Sequence, residues 1–254
     1  MKNDHSLWIV PDAHVTPQYD LGDFARFAAL GEYLRGRAKR GDALVCLGDF
    51  ADMPSLSSYE RGTRGAEGKR YRDDVEAAKH ACKVTFRGMP GVEKHMLLGN
   101  HENRINKATA TDPAMHGKLS TDDLGYGEVF GKVHPFLAPL SLRGFAFSHY
   151  FASGIMGRPI GGENAAASLL SKLHVSAVAG HSHLLDLAVR TSPDGRKLHG
   201  IVAGCYAHPK YAEGWCAATR HMWWSGIVRV GQRCERGGWL VTSVEAIGAG
   251  EILR

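Results

Sequence analysis

The sequence predicts an α/β fold, and three observations predict it. Short apolar runs recur and stop abruptly at glycine, aspartate or histidine. Segments with helical spacing lie between the early runs. The last part is mostly strand-like and contains a hairpin signal, Ser192-Pro193-Asp194-Gly195. At 254 residues the chain fits a single domain, 1–254, with no repeat, low-complexity tract or linker to divide it. That length buries a substantial core without disulfide or metal staples.

Leu7-Trp8-Ile9-Val10, ended by Pro11-Asp12-Ala13-His14, reads as a first strand and its loop. Residues 23–40 carry Phe24, Phe27, Ala28, Leu30 and Leu34 with Arg and Lys between, a helical spacing that Gly41 would stop. Residues 43–47 form a second buried strand, ended by Gly48-Asp49-Phe50-Ala51-Asp52. Residues 53–72 have no clean periodicity and hold Arg61, Arg64, Lys69, Arg70 and Arg72 among glycines. They read as a solvated loop or as an electropositive lip guiding a phosphate-rich substrate. The alanine-rich residues 73–87 read as helix, and 95–98 as a third strand that stops at Gly99-Asn100-His101-Glu102. Residues 103–142 are the least readable, with turn or cap signals at Asp112-Pro113 and Thr121-Asp122-Asp123. Phe145-Ala146-Phe147 gives a fourth strand ending at Ser148-His149, and 163–173 a helix behind Gly161-Gly162. Residues 175–179 give a fifth strand ending at Gly180-His181-Ser182-His183. Residues 187–191 and 198–203 flank the hairpin turn, and 226–230 and 239–244 are further strands.

Composition excludes some classes. The five cysteines, Cys46, Cys82, Cys205, Cys216 and Cys234, are odd in number, widely spaced and without a Cys-x-x-Cys pair. That argues against a disulfide framework and against a thiolate zinc cluster, and Cys46 reads as a core residue. No apolar stretch approaches a membrane span, and Met1 to His5 lead into a strand-like run without a signal-peptide core, so the expected setting is cytoplasmic. A net charge of +5 suits an anionic substrate as well as plain solubility.

Five loops, each behind a predicted strand, carry candidate ligands: Asp12 with His14, Asp49 with Asp52, Asn100 with His101, His149, and His181 with His183. In open α/β sheets, ligands bind outside the carboxyl ends of the strands, so five such ends can converge on one site. Imidazole and oxygen donors without thiolate suit Mn, Fe or Zn. Each loop alone has a plainer reading: a satisfied histidine, an aspartate stabilising its own turn, or a Gly-Asn turn with a capping carboxylate.

The ordered set Asp-x-His, Gly-Asp-x-x-Asp, Gly-Asn-His-Glu, His and Gly-His-x-His, spanning residues 12–183, resembles the calcineurin-like metallophosphoesterase superfamily. The resemblance implies a four-layer α-β-β-α sandwich with the site at the sheet edges. It implies two divalent metal ions, Mn foremost, with Fe, Zn, Ni or Mg as alternatives. One would take Asp12, His14, Asp49 and His183; the other Asp49, Asn100, His149 and His181, with Asp49 bridging. The implied reaction is hydrolysis of a phosphoester by a hydroxide shared between the metals. His101 would face the scissile phosphate without ligating, joining Asp49 and Asn100 as the catalytic set, while Asp52 and Glu102 would orient imidazoles or the loop.

The substrate is less legible. Relatives resembling Ser/Thr protein phosphatases carry Arg-Gly after the second motif, where this chain has Met53-Pro54. Arg104 is either a substitute positive charge or a surface residue. The segments 48–59 and 99–104, with Gly204-Cys205-Tyr206 and Trp223-Trp224-Ser225-Gly226, are similar to phosphoesterases encoded by bacteriophages and prophages. With the basic loop, Arg64 and Arg70 included, this favours phosphodiesters in DNA, RNA or nucleotides. A phosphomonoesterase or protein phosphatase, and a non-catalytic metal-binding scaffold, are the alternatives. Residues 208–224, with four aromatics, read as a loop over the sheet edge or as a base-stacking element. The oligomeric state is not readable.

Overall fold

The computed structural model describes residues 4–211, 219–235 and 238–254. In chain order, the elements are β1 (Asp4–Val10), α1 (Leu21–Arg37), β2 (Ala43–Cys46), α2 (Tyr71–Phe86), β3 (Glu93–Leu97) and α3 (Asn103–Thr111). Next come β4 (Lys132–His134), β5 (Leu140–Leu142), β6 (Phe145–Ser148), β7 (Ala152–Ser153), β8 (Arg158–Pro159), α4 (Ala165–Leu173) and β9 (Ser176–Ala179). The chain ends with β10 (Leu185–Thr191), β11 (Lys197–Ala203), β12 (Gly226–Glu235), β13 (Gly238–Gly248) and α5 (Ala249–Ile252). The protein is therefore mixed α/β.

A six-stranded sheet has the order β13-β12-β1-β2-β3-β4, and a five-stranded sheet the order β10-β11-β9-β6-β5. β1, β2, β3 and β4 run parallel, as do β6, β9 and β11. The alternation of side chains along a strand sorts the apolar residues onto two faces. Leu7 and Ile9 of β1, Ala43 and Val45 of β2 and Leu97 of β3 pack with Phe145, Phe147, Val178, Ile201 and Ala203 of the second sheet. Their neighbours Trp8, Val10, Leu44, Cys46 and Met96 pack instead with Phe27, Leu30 and Leu34 of α1 and Ala78, Ala81 and Cys82 of α2. A third cluster joins Ala177, Ala179 and Val202 to Ala165, Ala166 and Leu169 of α4. Strands buried on both faces read as continuous apolar runs, which is why β1, β2 and β9 stand out in the sequence.

Boundaries shift where local chemistry decides them. α1 starts behind an Asp20–Asp23 capping box and stops at Arg37, because Ala38 turns extended before Gly41 is reached. α2 begins at Tyr71 rather than 73. α3 lies in the least readable stretch: the residue it buries is Ile105, too little for a periodic signal. The β7–β8 ribbon and α5 likewise carry no sequence signal of their own. Among the described residues no helix is long and apolar enough to cross a membrane. Cys46, Cys82 and Cys205 are buried free thiols and Cys234 an exposed one. Met1 to Asn3, Cys216 and residues 212–218 of the aromatic segment lie outside the described residues.

Phe147 is fully buried between the two sheets. Phe147→Ala is expected to cost about 3–5 kcal/mol of folding stability, read by urea denaturation.

Candidate metal centre

The parallel strands β1, β2 and β3 end side by side, and so do β6 and β9, so the five ligand loops emerge together. Backbone bonds join them: Ala13 N and His14 N both donate to Asp49 O (3.0 and 2.9 Å), and Gly180 N donates to His149 O (2.9 Å). His181 N donates to Asp12 Oδ1 across the two sheets (2.9 Å). Four of the candidate ligands, His14, Asp49, His181 and His183, have φ of 46°, 46°, 70° and 60°. Non-glycine residues seldom occupy that left-handed region, and such strain persists where surrounding structure over-determines it.

The structure brings together the Asp and His residues that the sequence nominates as metal ligands. Asp12, His14 and His183 each place one donor atom within 4.8 Å of the others, and so do Asp49, His149 and His181. Asn100 Oδ1 lies 2.9 Å from His149 Nε2, and Asp49 Oδ2 lies 3.2 Å from it. His14 Nε2 faces His183 Nε2 at 3.1 Å. His101 also falls within reach of Asp49 and His14. Its backbone N–H donates to Asp49 Oδ1 (2.8 Å), and its Nδ1 is held at 2.8 Å from Asp52 O.

The outer residues have distinct tasks. Asp52 Oδ1 accepts from Nδ1 of both His14 and His101 (2.9 Å each), which turns Nε2 of each ring inward. Glu102 is fully buried and holds loops rather than rings. Its Oε2 accepts from Asp49 N (2.9 Å) and Gly99 N (2.8 Å), and its Oε1 from Ala51 N (2.9 Å) and the Tyr126 hydroxyl (3.2 Å). His149 Nδ1 must donate to Leu47 O (2.9 Å), which leaves Nε2 as the site-facing atom. Gly99 and Gly180 are packing necessities. A Cβ at Gly99 would sit 2.1 Å from Asp49 Oδ1, and one at Gly180 would sit 2.2 Å from Asp12 Oδ2.

Protonation states follow from this crowding. Burial alone would raise the Asp49 pKa, but His149, His101 and His14 outweigh it and hold the carboxyl well below 3.8. Burial, then His149, takes His181 down to about 4; burial, then His14, lowers His183 as well. These are forms that metal ligation requires, whereas His149, which burial would lower, is lifted to about 9 by Asp49 and Asp12, so a cation would have to displace its proton. Burial raises Asp12 to about 6, and its Oδ2 has no hydrogen-bond partner among the described residues. Acceptor atoms facing one another, one of them on a carboxylate whose other oxygen is orphaned, fit divalent cations. Burial would lower the His101 pKa, yet the charges of Asp49 and Asp52 lift it to about 9. A bound cation would neutralise Asp49 and remove much of that lift.

The site opens into a cavity of about 830 Å³. Arg104 lines it rather than the outer surface, with Nη1 donating to Asp52 O (3.0 Å) and Nη2 lying 3.3 Å from His101 Nε2. Arg64 and Arg70 do not line it. Arg64 is exposed in a short 3-10 turn, Arg64–Ala66, and Arg70 is the exposed residue before α2, so neither is part of the cavity wall. Arg61 and Lys107 line the cavity instead. Trp223 meets the His183 ring edge-on at 4.2 Å, while Trp224 covers Gly204 and Gly226. Sequence reasoning misses Tyr126, which lies in the least readable stretch, and Tyr150, which packs on His181 at 4.8 Å. Tyr150 follows His149 directly, and that adjacency is the available signal.

No family model matches the chain, and no curated protein matches it significantly. Among solved structures, a protein of unknown function from Aquifex aeolicus is similar over 70% of this chain and 78% of its own, at 17% identity and a TM-score of 0.36. Likeness at that level assigns neither fold nor function.

Gly180→Ala should push Asp12 out of place. The expected result is about 10–100-fold weaker Mn²⁺ binding by calorimetry with an unchanged far-UV CD spectrum. Asp74, whose Oδ2 accepts from Ser55 N (3.0 Å) at the cavity wall, has its pKa raised by burial from 3.8 to about 6. A raised carboxyl favours the folded state fully below its unfolded pKa, and that contribution is lost as pH rises through the folded value. Stability attributable to Asp74 should therefore fall between pH 3.8 and about 6, and Asp74→Asn should flatten that slope in urea denaturation.

Proposed function

We propose that the chain is a dinuclear metallophosphoesterase of the calcineurin-like type, acting on phosphodiesters in nucleic acid or nucleotides. One observation carries this reading: residues nominated from five loops meet in two donor groups, Asp12 with His14 and His183, and Asp49 with His149 and His181, and Asn100 adjoins the second. The three apolar clusters are in keeping with a four-layer α-β-β-α sandwich.

Asp12, His14, Asp49 and His183 would hold one cation, and Asp49, Asn100, His149 and His181 the other, with Mn the first choice for such donors. When bound, two divalent cations supply Lewis acidity toward the phosphoryl oxygens and a water activated at neutral pH. Asp52 fixes the His14 and His101 rings through their Nδ1 atoms. His101 then presents Nε2 to the cavity, and a proton on that atom passes to the leaving oxygen as the P–O bond breaks. Arg104 adds positive charge beside the same atom, which favours an anion there and opposes charge on the ring. Met53 and Pro54 stand where a protein phosphatase carries its phosphate-gripping arginine, which disfavours that alternative. A cytoplasmic setting belongs to the same reading.

The test compares bis-p-nitrophenyl phosphate, p-nitrophenyl phosphate and single-stranded DNA in Mn²⁺, with metal analysis on the same preparation. The expected outcome is hydrolysis of the diester and DNA ahead of the monoester. His101→Ala should keep both metals and lose about 10²–10⁴-fold in turnover. Asp49→Ala should lose metal itself. Protein carrying two metals and hydrolysing none of the three would leave the scaffold reading in its place.

A further inference from the structure

One wall of the cavity runs from Arg104 beyond the chemistry above. Arg104, Lys107, Ala108 and Thr111 all line it. They sit at i, i+3, i+4 and i+7 of α3, which makes one stripe of a helix, and Ile105 is the residue that α3 buries. Because α3 begins directly behind His101 and Glu102, the stripe leads away from His101 for about 10 Å at 1.5 Å per residue. The neighbouring loop packs on α3 through Pro54–Leu56 and adds Tyr59 and Arg61 to the same cavity. Tyr59 lines the cavity and is 78% exposed, so its ring is open to a ligand there.

Several basic side chains are already paired within the protein. Lys69, Lys83, Arg229 and Arg233 are paired with Glu60, Glu128, Glu245 and Asp4. Among the described residues, the side-chain charges of Lys107 and Arg61 have no ion-pair partner. The acidic residues lining the cavity are Asp49 and Asp52, at the metal-donor end. On the phosphoesterase reading the scissile phosphate belongs at the His101–Arg104 end, and Lys107, one turn further along α3, and Arg61 remain for another anion.

We propose that Lys107 and Arg61 seat a second, non-scissile phosphate, with the adjoining nucleoside against Tyr59. This inference rests on the phosphoesterase reading and narrows its substrates to those with a further phosphate, either a nucleic-acid strand or a nucleoside polyphosphate. Aromatic stacking tolerates any base, so the arrangement selects phosphate number rather than sequence.

The experiment measures binding to the full chain in EDTA, where turnover is absent, so its result is independent of the metal-dependent assay. The probes are dithymidylate with one phosphate, 5′-phosphorylated dithymidylate with two, and thymidine triphosphate. Wild type is expected to prefer a two-phosphate ligand over dithymidylate. Lys107→Ala and Arg61→Ala should each cut that preference about tenfold, the value of one charge-assisted contact. On oligothymidylate, each should reduce the slope of log affinity against log salt by about 0.7. Lys118→Ala, exposed and outside the cavity, is the charge-matched control and should match wild type. Preference for phosphorylated dithymidylate identifies a strand, and preference for the triphosphate identifies a nucleoside polyphosphate. Equal affinity for one and two phosphates, or variants that bind as wild type does, would overturn the proposal.

Discussion

Four hydrogen-bond donors converge on the buried carboxylate of Glu102, and the geometry of the site depends on them. Three are the backbone N–H groups of Asp49, Ala51 and Gly99, and the fourth is the Tyr126 hydroxyl. Buried donors left unpaired are costly, so these bonds lock the loop after β2 to the loop after β3. Asp49 can then hold a left-handed backbone, with its side chain against the His101 N–H and the His149 ring. The support for that strained residue comes from a carboxylate 53 positions further along the chain, across the gap between two loops.

Charge crowding is the second organising feature. Asp12, Asp49, Asp52 and Glu102 are all buried, and so are His101, His149 and His183. Burying so many ionisable groups is unfavourable unless they are paired, hydrogen-bonded or neutralised. Asp52 and Glu102 are satisfied by the protein itself, whereas Asp12 keeps an oxygen with no partner among the described residues. The unsatisfied oxygen belongs to the carboxylate whose Oδ1 lies 3.7 Å from His183 Nε2, and the satisfied groups form the frame around that site.

Legibility in the sequence follows burial. β1, β2 and β9 are apolar on both faces, so they stand out as runs, and the polar residues that end them stand out as candidate ligands. α3 is invisible because Ile105 is the residue it buries, and with it goes the wall that carries Lys107. Arg64 and Arg70 are nominated from composition alone. A basic loop shows how many charges it holds, not which side chains turn toward a cavity.

The amino-acid order by itself determined the strand-and-loop rhythm and the succession of candidate donor residues along the chain, because apolar periodicity and donor chemistry are local properties. Tertiary structure alone decided that Asp52 serves two rings, that Glu102 ties loops rather than imidazoles, and that Arg61 and Lys107 rather than Arg64 and Arg70 face the cavity. Those outcomes depend on directions in space between residues far apart in sequence, which no local pattern encodes.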